Sequence, residues 1–217
     1  MSISNKTYAV FGLGKYGKAV AKELIANGAE VLAIDHNESR VNASIEDLPF
    51  CKCADITDPD VIKQLGISNV DVVIIAMANN FEASIMATVL CKEAGVKTVI
   101  VKCSDEMHKK ILLRVGADRV VIPENESGIR LAKNLLSSGF VDVLELAKGV
   151  SIVEVDVRPE WIGKTLIDLR LRRKYGLNVV AIKSNDSVTT LIDPEIPLDG
   201  SLKLIVIADT DKLSKLS

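Results

Sequence analysis

The feature that most constrains the fold is a regular alternation of short apolar runs with longer amphipathic stretches, from the first residues to about residue 140. Runs such as VVIIAM at 72–77 are apolar at every position, which is typical of parallel strands covered by helices on both faces. Repeated strand–helix alternation predicts an α/β fold with a doubly wound parallel sheet. The predicted strands are Tyr8–Phe11, Glu30–Ile34, Phe50–Cys53, Val72–Met77, Thr98–Lys102 and Arg119–Ile122, and the predicted helices are Tyr16–Asn27, Ser39–Asp47, Asp58–Leu65, Phe81–Ala94, Asp105–Val115 and Ser127–Ser138.

The pattern changes after residue 138. Phe140–Ala147 is a short amphipathic piece between two glycines, and we predict it as a crossover helix that locks two chains together, the alternative being that it packs on its own domain. Alternating Val and acidic residues at 153–157 then predict a strand, followed by a helix over Leu166–Lys174 and further strands. This favours a small α+β lobe of βαββ type. We therefore expect a first domain over 1–138, a crossover helix and linker over 139–149, and a C-terminal lobe over 150–217.

The first predicted strand runs directly into a glycine loop, GLGKYG at 12–17, and a predicted helix follows it. Gly12 permits a tight turn, Gly14 lets the backbone approach a diphosphate, and Gly17 lets the helix pack against the strand. The free N–H groups of that helix would bind phosphate. Asp35 ends the second strand and can accept both ribose hydroxyls, which favours NAD or an adenosine nucleotide over NADP. The pattern predicts a Rossmann-like nucleotide site at the carboxyl edge of the sheet.

Further polar side chains follow the other predicted strands and are expected at the same edge. Asp55 follows the third strand and is placed to reach an adenine edge, while Lys15 puts an ammonium near a diphosphate or triphosphate. For the residues at strand ends the alternative is a structural role as a helix cap, which suits Asn80. The other candidates at this edge are Tyr16, His36, Ala78, Asn79, Lys102 and Glu124.

The sequence shows no recognisable proton relay of the kind that a hydride-transfer enzyme needs. Its two histidines, His36 and His108, belong to no recognisable proton relay. Cys51 and Cys53 share one strand face, but no second Cys or His pair lies nearby, so we expect no metal site there. We therefore expect a nucleotide bound as a signal and no enzymatic activity. The alternatives left open are an NAD-dependent oxidoreductase and a sensor of the NADH/NAD ratio.

The composition and the apolar runs argue against nucleic-acid binding and against a membrane-spanning helix. The 27 basic and 29 acidic residues give a net charge of −2, and only 4% of residues are aromatic, so neither a phosphate backbone nor unpaired bases have an evident binding surface. The longest apolar run, Val72–Ala78, is far shorter than the roughly 20 residues of a membrane helix. The first residues also differ from a secretory signal. We expect a soluble cytoplasmic protein with reduced cysteines that binds no nucleic acid.

Several motifs follow the glycine loop in a fixed order: Asp35, IAMANN at 75–80, VK at 101–102, GADRVVIPE at 116–124 and RRKYG at 172–176. Together they closely resemble the TrkA/KtrA family, cytosolic regulators of potassium uptake that are built from RCK domains. The resemblance covers nearly the whole chain, and the part after residue 150 is similar to the C-terminal RCK lobe. The stretches at 116–124 and 172–176 are more specific than the glycine loop.

The resemblance implies a regulatory subunit. Members bind ATP, ADP or NAD(H) in the N-terminal domain, form dimers that assemble into an octameric ring, and dock on a membrane potassium-channel subunit of the Trk or Ktr type. Lys15 stands where Ktr-type relatives usually have an arginine, and Glu124 matches an acidic residue that helps hold Mg²⁺ or Ca²⁺ beside the phosphates. The residues that match the nucleotide-binding positions of the family are Gly12, Gly14, Gly17 and Asp35.

The resemblance also implies a second ligand, cyclic di-AMP, which some relatives bind at a dimer interface of the C-terminal lobe. Arg170 stands where that motif has an Asp, so an extra cation replaces an acid. The alternative is that the basic residues at 170–174 form a solvated helix end that compensates the helix dipole. The residues that match the motif are Leu166, Ile167, Arg172, Asn178 and Val179.

Overall fold

The computed structural model describes residues 6–136, 140–147, 149–185 and 187–209. The chain divides into two compact units, Met1–Glu124 and Asn125–Ser217. This division falls in the first turn of helix α6 (Pro123–Leu136), which the sequence-based division assigns to the first domain. The predicted domain boundaries, 1–138, 139–149 and 150–217, stay a prediction.

The first unit contains a six-stranded parallel sheet in the order β3-β2-β1-β4-β5-β6, which confirms the predicted doubly wound sheet. The central strand β1 pairs with β2 on one side and with β4 on the other, so the strand order reverses there. Loops diverge at such a switch point and leave a crevice at the carboxyl ends of the strands. The strands are β1 (Thr7–Phe11), β2 (Glu30–Asp35), β3 (Cys51–Cys53), β4 (Val72–Ile75), β5 (Thr98–Lys102) and β6 (Arg119–Val121).

Five helices connect these strands, and four of them begin at a polar cap. The side chains of Asn37, Asp58, Asn80 and Asp105 each accept a backbone N–H of the first turn. The exception is the first helix, whose cap is Gly14 and which has no side-chain cap. Its N–H groups are therefore free for a ligand. The helices are α1 (Lys15–Ala26), α2 (Glu38–Asn42), α3 (Pro59–Gln64), α4 (Phe81–Glu93) and α5 (Glu106–Arg114).

Neighbouring residues of the central strands pack into two separate cores, one on each face of the sheet. Phe11 and Ile75 belong to one cluster, whereas Val10 and Ile74 belong to the other, and all four are 6% exposed or less. This double burial explains why β4 is apolar at every position. The strand ends are consequently held in fixed positions from both sides, which gives the carboxyl edge a rigid base.

The second unit is built on a five-stranded antiparallel sheet in the order β10-β9-β11-β8-β7. Its core contains Trp161, Leu204 and Val206, each 2% exposed or less. The strands are β7 (Phe140–Ala147), β8 (Val150–Asp156), β9 (Asn178–Ser184), β10 (Ser187–Thr189) and β11 (Leu202–Asp209), and the helices beside them are α7 (Leu166–Leu169) and α8 (Leu171–Tyr175).

The predicted crossover helix over Phe140–Ala147 is wrong, because these residues form strand β7. β7 pairs antiparallel with β8, and Val143 stands opposite Val153. The sequence VDV followed by LEL alternates with a period of two, and β-branched valines favour a strand. Eight residues are also too few for a stable isolated helix.

The single helix predicted over Leu166–Lys174 is also wrong, since α7 and α8 are separated at Arg170. Arg170 has a left-handed backbone with φ 47°. Its neighbours Leu169 and Leu171 are both 5% exposed or less. Two residues apart on a continuous helix they would point in nearly opposite directions, so only a break lets both enter one core.

Candidate functional site

The glycine loop, residues 12–17, joins β1 to α1 at the carboxyl edge of the sheet. Gly12 has φ +92°, which L side chains rarely adopt, and its N–H donates to the carbonyl of Ile34 at 2.7 Å. A Cβ on Gly17 would lie 1.9 Å from the carbonyl oxygen of Gly12. A Cβ on Gly14 would meet nothing within 4 Å. Gly12 and Gly17 are therefore required by the backbone, whereas Gly14 faces open space at the start of α1.

The carboxylate of Asp35 binds the backbone on both sides of the site. Its Oδ2 atom accepts the N–H of Leu13 at 2.7 Å, and its Oδ1 atom accepts the N–H of Asn37 at 2.8 Å. The side chain is only 1% exposed. Asp35 thus fixes the glycine loop against the end of β2, in addition to the ribose contact predicted for it.

The side chains of Arg40 and His36 lie next to the Asp35 carboxylate. Nη1 of Arg40 lies 3.5 Å from Oδ2 of Asp35, and Nδ1 of His36 lies 3.5 Å from Oδ1. Both side chains are exposed, Arg40 by 54% and His36 by 70%. Arg40 was missed by the sequence analysis, although a basic residue shortly after a ribose-binding acid is a recognised signal in dinucleotide sites.

A cavity of about 870 Å³ opens in front of the loop. Its size suits a nucleotide or dinucleotide, since ligand cavities measure roughly 300–1,000 Å³. Of the nucleotide-site candidates, only Gly17 is not a lining residue, because it packs against Gly12. The candidates that line it are Gly12, Gly14, Lys15, Tyr16, Asp35, His36, Asp55, Ala78, Asn79, Lys102 and Glu124. Asn80, expected at this edge with a helix cap as the alternative, also lines it, and the lining residues not predicted are Ile34, Arg40, Ile56, Thr57, Ala76, Met77 and Ala83.

An ion pair closes one side of the cavity. Nζ of Lys102, at the end of β5, lies 2.6 Å from Oε1 of Glu124, in the first turn of α6. The Lys102 side chain is 14% exposed and stands 5.7 Å from the ring centroid of Tyr16. The hydrogen bond from Lys102 lowers the pKa of Glu124, so the carboxylate stays ionised.

The polar residues after β3 and β4 differ in their roles. Asp55 accepts the hydroxyl of Thr57 at 2.7 Å and its N–H at 2.9 Å, which lowers the pKa of Asp55. Asn80 accepts the N–H of Ala83 at 3.1 Å, and this cap confirms the structural alternative considered for Asn80. Asn79 is exposed at the cavity.

Glu124 fits a divalent cation only as one ligand among several. Within the residues that the structure describes, no group of three His, Cys, Asp or Glu side chains lies close enough to hold a metal. Glu124 is 69% exposed and can turn from Lys102 toward a cation, whose remaining ligands would be phosphate oxygens. Mg²⁺ or Ca²⁺ at this place stays a prediction.

In the second unit, a small cavity of about 220 Å³ is lined by Arg172, Gly176 and Asn178, among others. Two residues of the predicted cyclic di-AMP motif therefore meet there. Arg170 lies instead in the break between α7 and α8. Cyclic di-AMP binding stays a prediction, and the motif residues that do not line this cavity are Leu166, Ile167, Arg170 and Val179.

Across the described part of the chain, no helix combines the length and apolar character needed to cross a membrane.

The chain is similar to known proteins over both units. The family model of the TrkA-N domain matches residues 8–123, and that of the TrkA-C domain matches residues 150–217. The chain is 42% identical to "Ktr system potassium uptake protein C" of Bacillus subtilis (strain 168), over 84% of this chain and 83% of the relative. It is 36% identical to "Ktr system potassium uptake protein A" of Vibrio alginolyticus, over 99% of this chain and 97% of the relative.

Among solved structures, the GsuK channel has a similar fold, with a TM-score of 0.70 and 17% identity, covering 100% of this chain and 39% of that channel chain. That likeness concerns the fold, whereas the family models and the Ktr relatives extend to sequence. The chain therefore belongs to the TrkA/KtrA family, with a TrkA-N domain followed by a TrkA-C domain.

Proposed function

We propose that the chain is the nucleotide-binding regulatory subunit of a Trk- or Ktr-type potassium-uptake channel. Family membership supports the link to potassium uptake. The observation that carries the nucleotide part is the cavity of about 870 Å³ in front of a glycine loop and an uncapped helix N-terminus. The ligand is ATP, ADP or NAD(H), and it acts as a signal rather than as a reactant.

In this proposal the phosphates lie at Gly14, where no side chain separates them from the N–H groups of α1. These groups and the helix dipole favour bound anions. Lys15 is exposed at the cavity rim and adds a mobile positive charge for the terminal phosphate. Asp35 binds the ribose hydroxyls through the lone pairs that the backbone N–H groups leave free.

The other end of the phosphate chain lies near Lys102 and Glu124. A divalent cation there would take Glu124 as a ligand and thereby release Lys102 for a phosphate oxygen. Because the ammonium and the cation compete for one carboxylate, ligands with different phosphate charge leave this pair in different arrangements. The proposed signal is that difference.

We further propose that copies of the chain form dimers, that these dimers assemble into an octameric ring, and that the ring docks on the channel subunit. Each site has to supply only about 1–3 kcal/mol of coupling, because a ring adds the contributions of its sites. The subunit would then act at the cytoplasmic face of the membrane through its channel partner.

The test is a set of nucleotide affinities measured by calorimetry on the purified chain. Gly14→Ala adds a methyl group where the fold leaves space but a phosphate would lie, and Gly128→Ala adds one on the exposed surface of α6, also with nothing within 4 Å. We expect Gly14→Ala to weaken ADP, ATP and NADH binding at least about tenfold, the scale of one lost charge-assisted hydrogen bond. Gly128→Ala should bind like the wild type.

Equal affinities in both variants, or no nucleotide binding by the wild type, would overturn the proposal. Titrations with and without Mg²⁺ test the cation, and constant NADH absorbance during incubation tests the role as a signal. Steady conversion of NADH to NAD by the wild type would favour an oxidoreductase.

A further inference from the structure

The ribose end of the cavity differs from a simple acidic ribose site. Both oxygens of Asp35 already accept backbone N–H groups, at 2.7 Å from Leu13 and 2.8 Å from Asn37. With a side chain that is 1% exposed, Asp35 presents little of its negative charge directly to the cavity. Hydrogen bonds to the carboxylate also disperse that charge into the loop.

Arg40 places a positive charge on the exposed side of the same carboxylate. Its Nη1 lies 3.5 Å from Oδ2 of Asp35, a long contact that is easily exchanged for a better one. The side chain is 54% exposed and lines the cavity. A guanidinium has five N–H donors, so Arg40 keeps several of them for a ligand.

The charges of Asp35 and Arg40 cancel at the ribose edge. An unpaired acid would exclude a phosphate on the ribose 2′-oxygen, because two negative charges would meet at close range. A neutral pair removes that repulsion, and a guanidinium binds phosphate with two parallel hydrogen bonds. We infer that Arg40 is a specificity-determining residue, an inference that rests on the proposed function. It lets this site bind adenosine nucleotides carrying a 2′-phosphate, such as NADPH, as well as NADH.

The experiment compares NADH with NADPH, and 5′-AMP with adenosine 2′,5′-bisphosphate, by calorimetry on the full chain. The second pair isolates the 2′-phosphate from the nicotinamide half. The variants are Arg40→Ala, Arg40→Lys and, as a matched control, Arg119→Ala, which removes an exposed arginine at the start of β6 that does not line the cavity.

In the wild type we expect NADPH to bind within about tenfold of NADH, because the guanidinium offsets the acid. Arg40→Ala should weaken NADPH at least about tenfold, the scale of a lost charged hydrogen bond, and leave NADH unchanged or tighter because Oδ2 of Asp35 is released. Arg40→Lys should fall between the two, and Arg119→Ala should match the wild type. Weaker NADPH binding with retained NADH binding is not expected from a general loss of structure.

Two results overturn the inference, and they can be told apart. If NADH, ADP and ATP bind but NADPH binds more than about a hundredfold more weakly, with no change in that ratio in Arg40→Ala, the inference fails and the proposed function stands. If none of these nucleotides binds, both fail.

Discussion

Nζ of Lys102 lies 2.6 Å from Oε1 of Glu124, and the two partners differ strongly in exposure, 14% against 69%. A nearly buried ammonium is therefore neutralised by a carboxylate that can move. Such a pair responds to any competing anion or cation that enters the cavity beside it. The pair thus links the end of β5 to the first turn of α6.

Replacing Lys102 by Met keeps the side-chain volume and removes the charge. We expect ADP binding to weaken by about tenfold, since a charge-assisted hydrogen bond to phosphate is lost. The pKa of Glu124 should rise toward its ordinary value, because Lys102 is the main cause of its lowering. Calorimetry and a carboxyl-carbon NMR titration of Glu124 measure the two effects.

The matched control is Lys109→Met. Lys109 also pairs with a glutamate, Glu106, at 3.5 Å, but on α5 outside the cavity. ADP should bind to this variant with wild-type affinity. If both variants lose ADP affinity equally, the effect of Lys102 is one of general charge and not of the cavity.

The sequence was sufficient to predict the parallel sheet and most of the cavity, because both depend on local patterns. The spacing of Gly12, Gly14 and Gly17 after an apolar run is a pattern within six residues that indicates a tight turn, a phosphate approach and a helix packing contact. Residues at strand ends, such as Lys102 and Glu124, could be assigned to one edge because parallel strands all end there.

The features that could not be predicted depend on contacts distant in sequence. Phe140–Ala147 forms a strand because β8 offers a partner, and amphipathic character alone does not distinguish that outcome from a helix. The break at Arg170 arises because Leu169 and Leu171 enter the same core. Arg40 is different, because it lies only five residues after Asp35 and its signal in the sequence is local.

Asp35 predicts an effect on stability as well as on binding. Asp35→Ala leaves the N–H groups of Leu13 and Asn37 without their acceptor, which should lower the free energy of unfolding of the first unit by about 2–3 kcal/mol. The control is Asp55→Ala, which loses only the exposed contacts to Thr57 and should cost less than about 1 kcal/mol. Urea unfolding measures both, and equal losses would contradict the supporting role of Asp35.

Gly17 and Gly14 should respond differently to the same added methyl group. Gly17→Ala places a Cβ 1.9 Å from the Gly12 carbonyl oxygen, so the loop or α1 has to shift and stability should fall by about 3 kcal/mol or more. Gly14→Ala meets nothing within 4 Å and should retain the wild-type melting temperature within about 2 °C. Thermal unfolding of the ligand-free variants tests this, and similar melting temperatures for the two would contradict the packing described for the loop.

Acid should weaken the first unit in part through Asp118. Partial burial opposes ionisation of this side chain, but the N–H of Val99 at 2.7 Å and the ammonium of Lys92 at 3.0 Å outweigh it and lower the pKa of Asp118 below its usual value of 3.8. A lowered folded-state pKa contributes stability that is present above the unfolded value and is lost as the pH falls through the folded value. Asp118→Asn should therefore be less stable than the wild type at pH 7, and the difference should shrink as the pH falls below about 4. Urea unfolding from pH 7 to pH 2.5 measures the difference, with the exposed Glu46→Gln as the control; a difference that stays constant over this range would show that the charge of Asp118 contributes nothing.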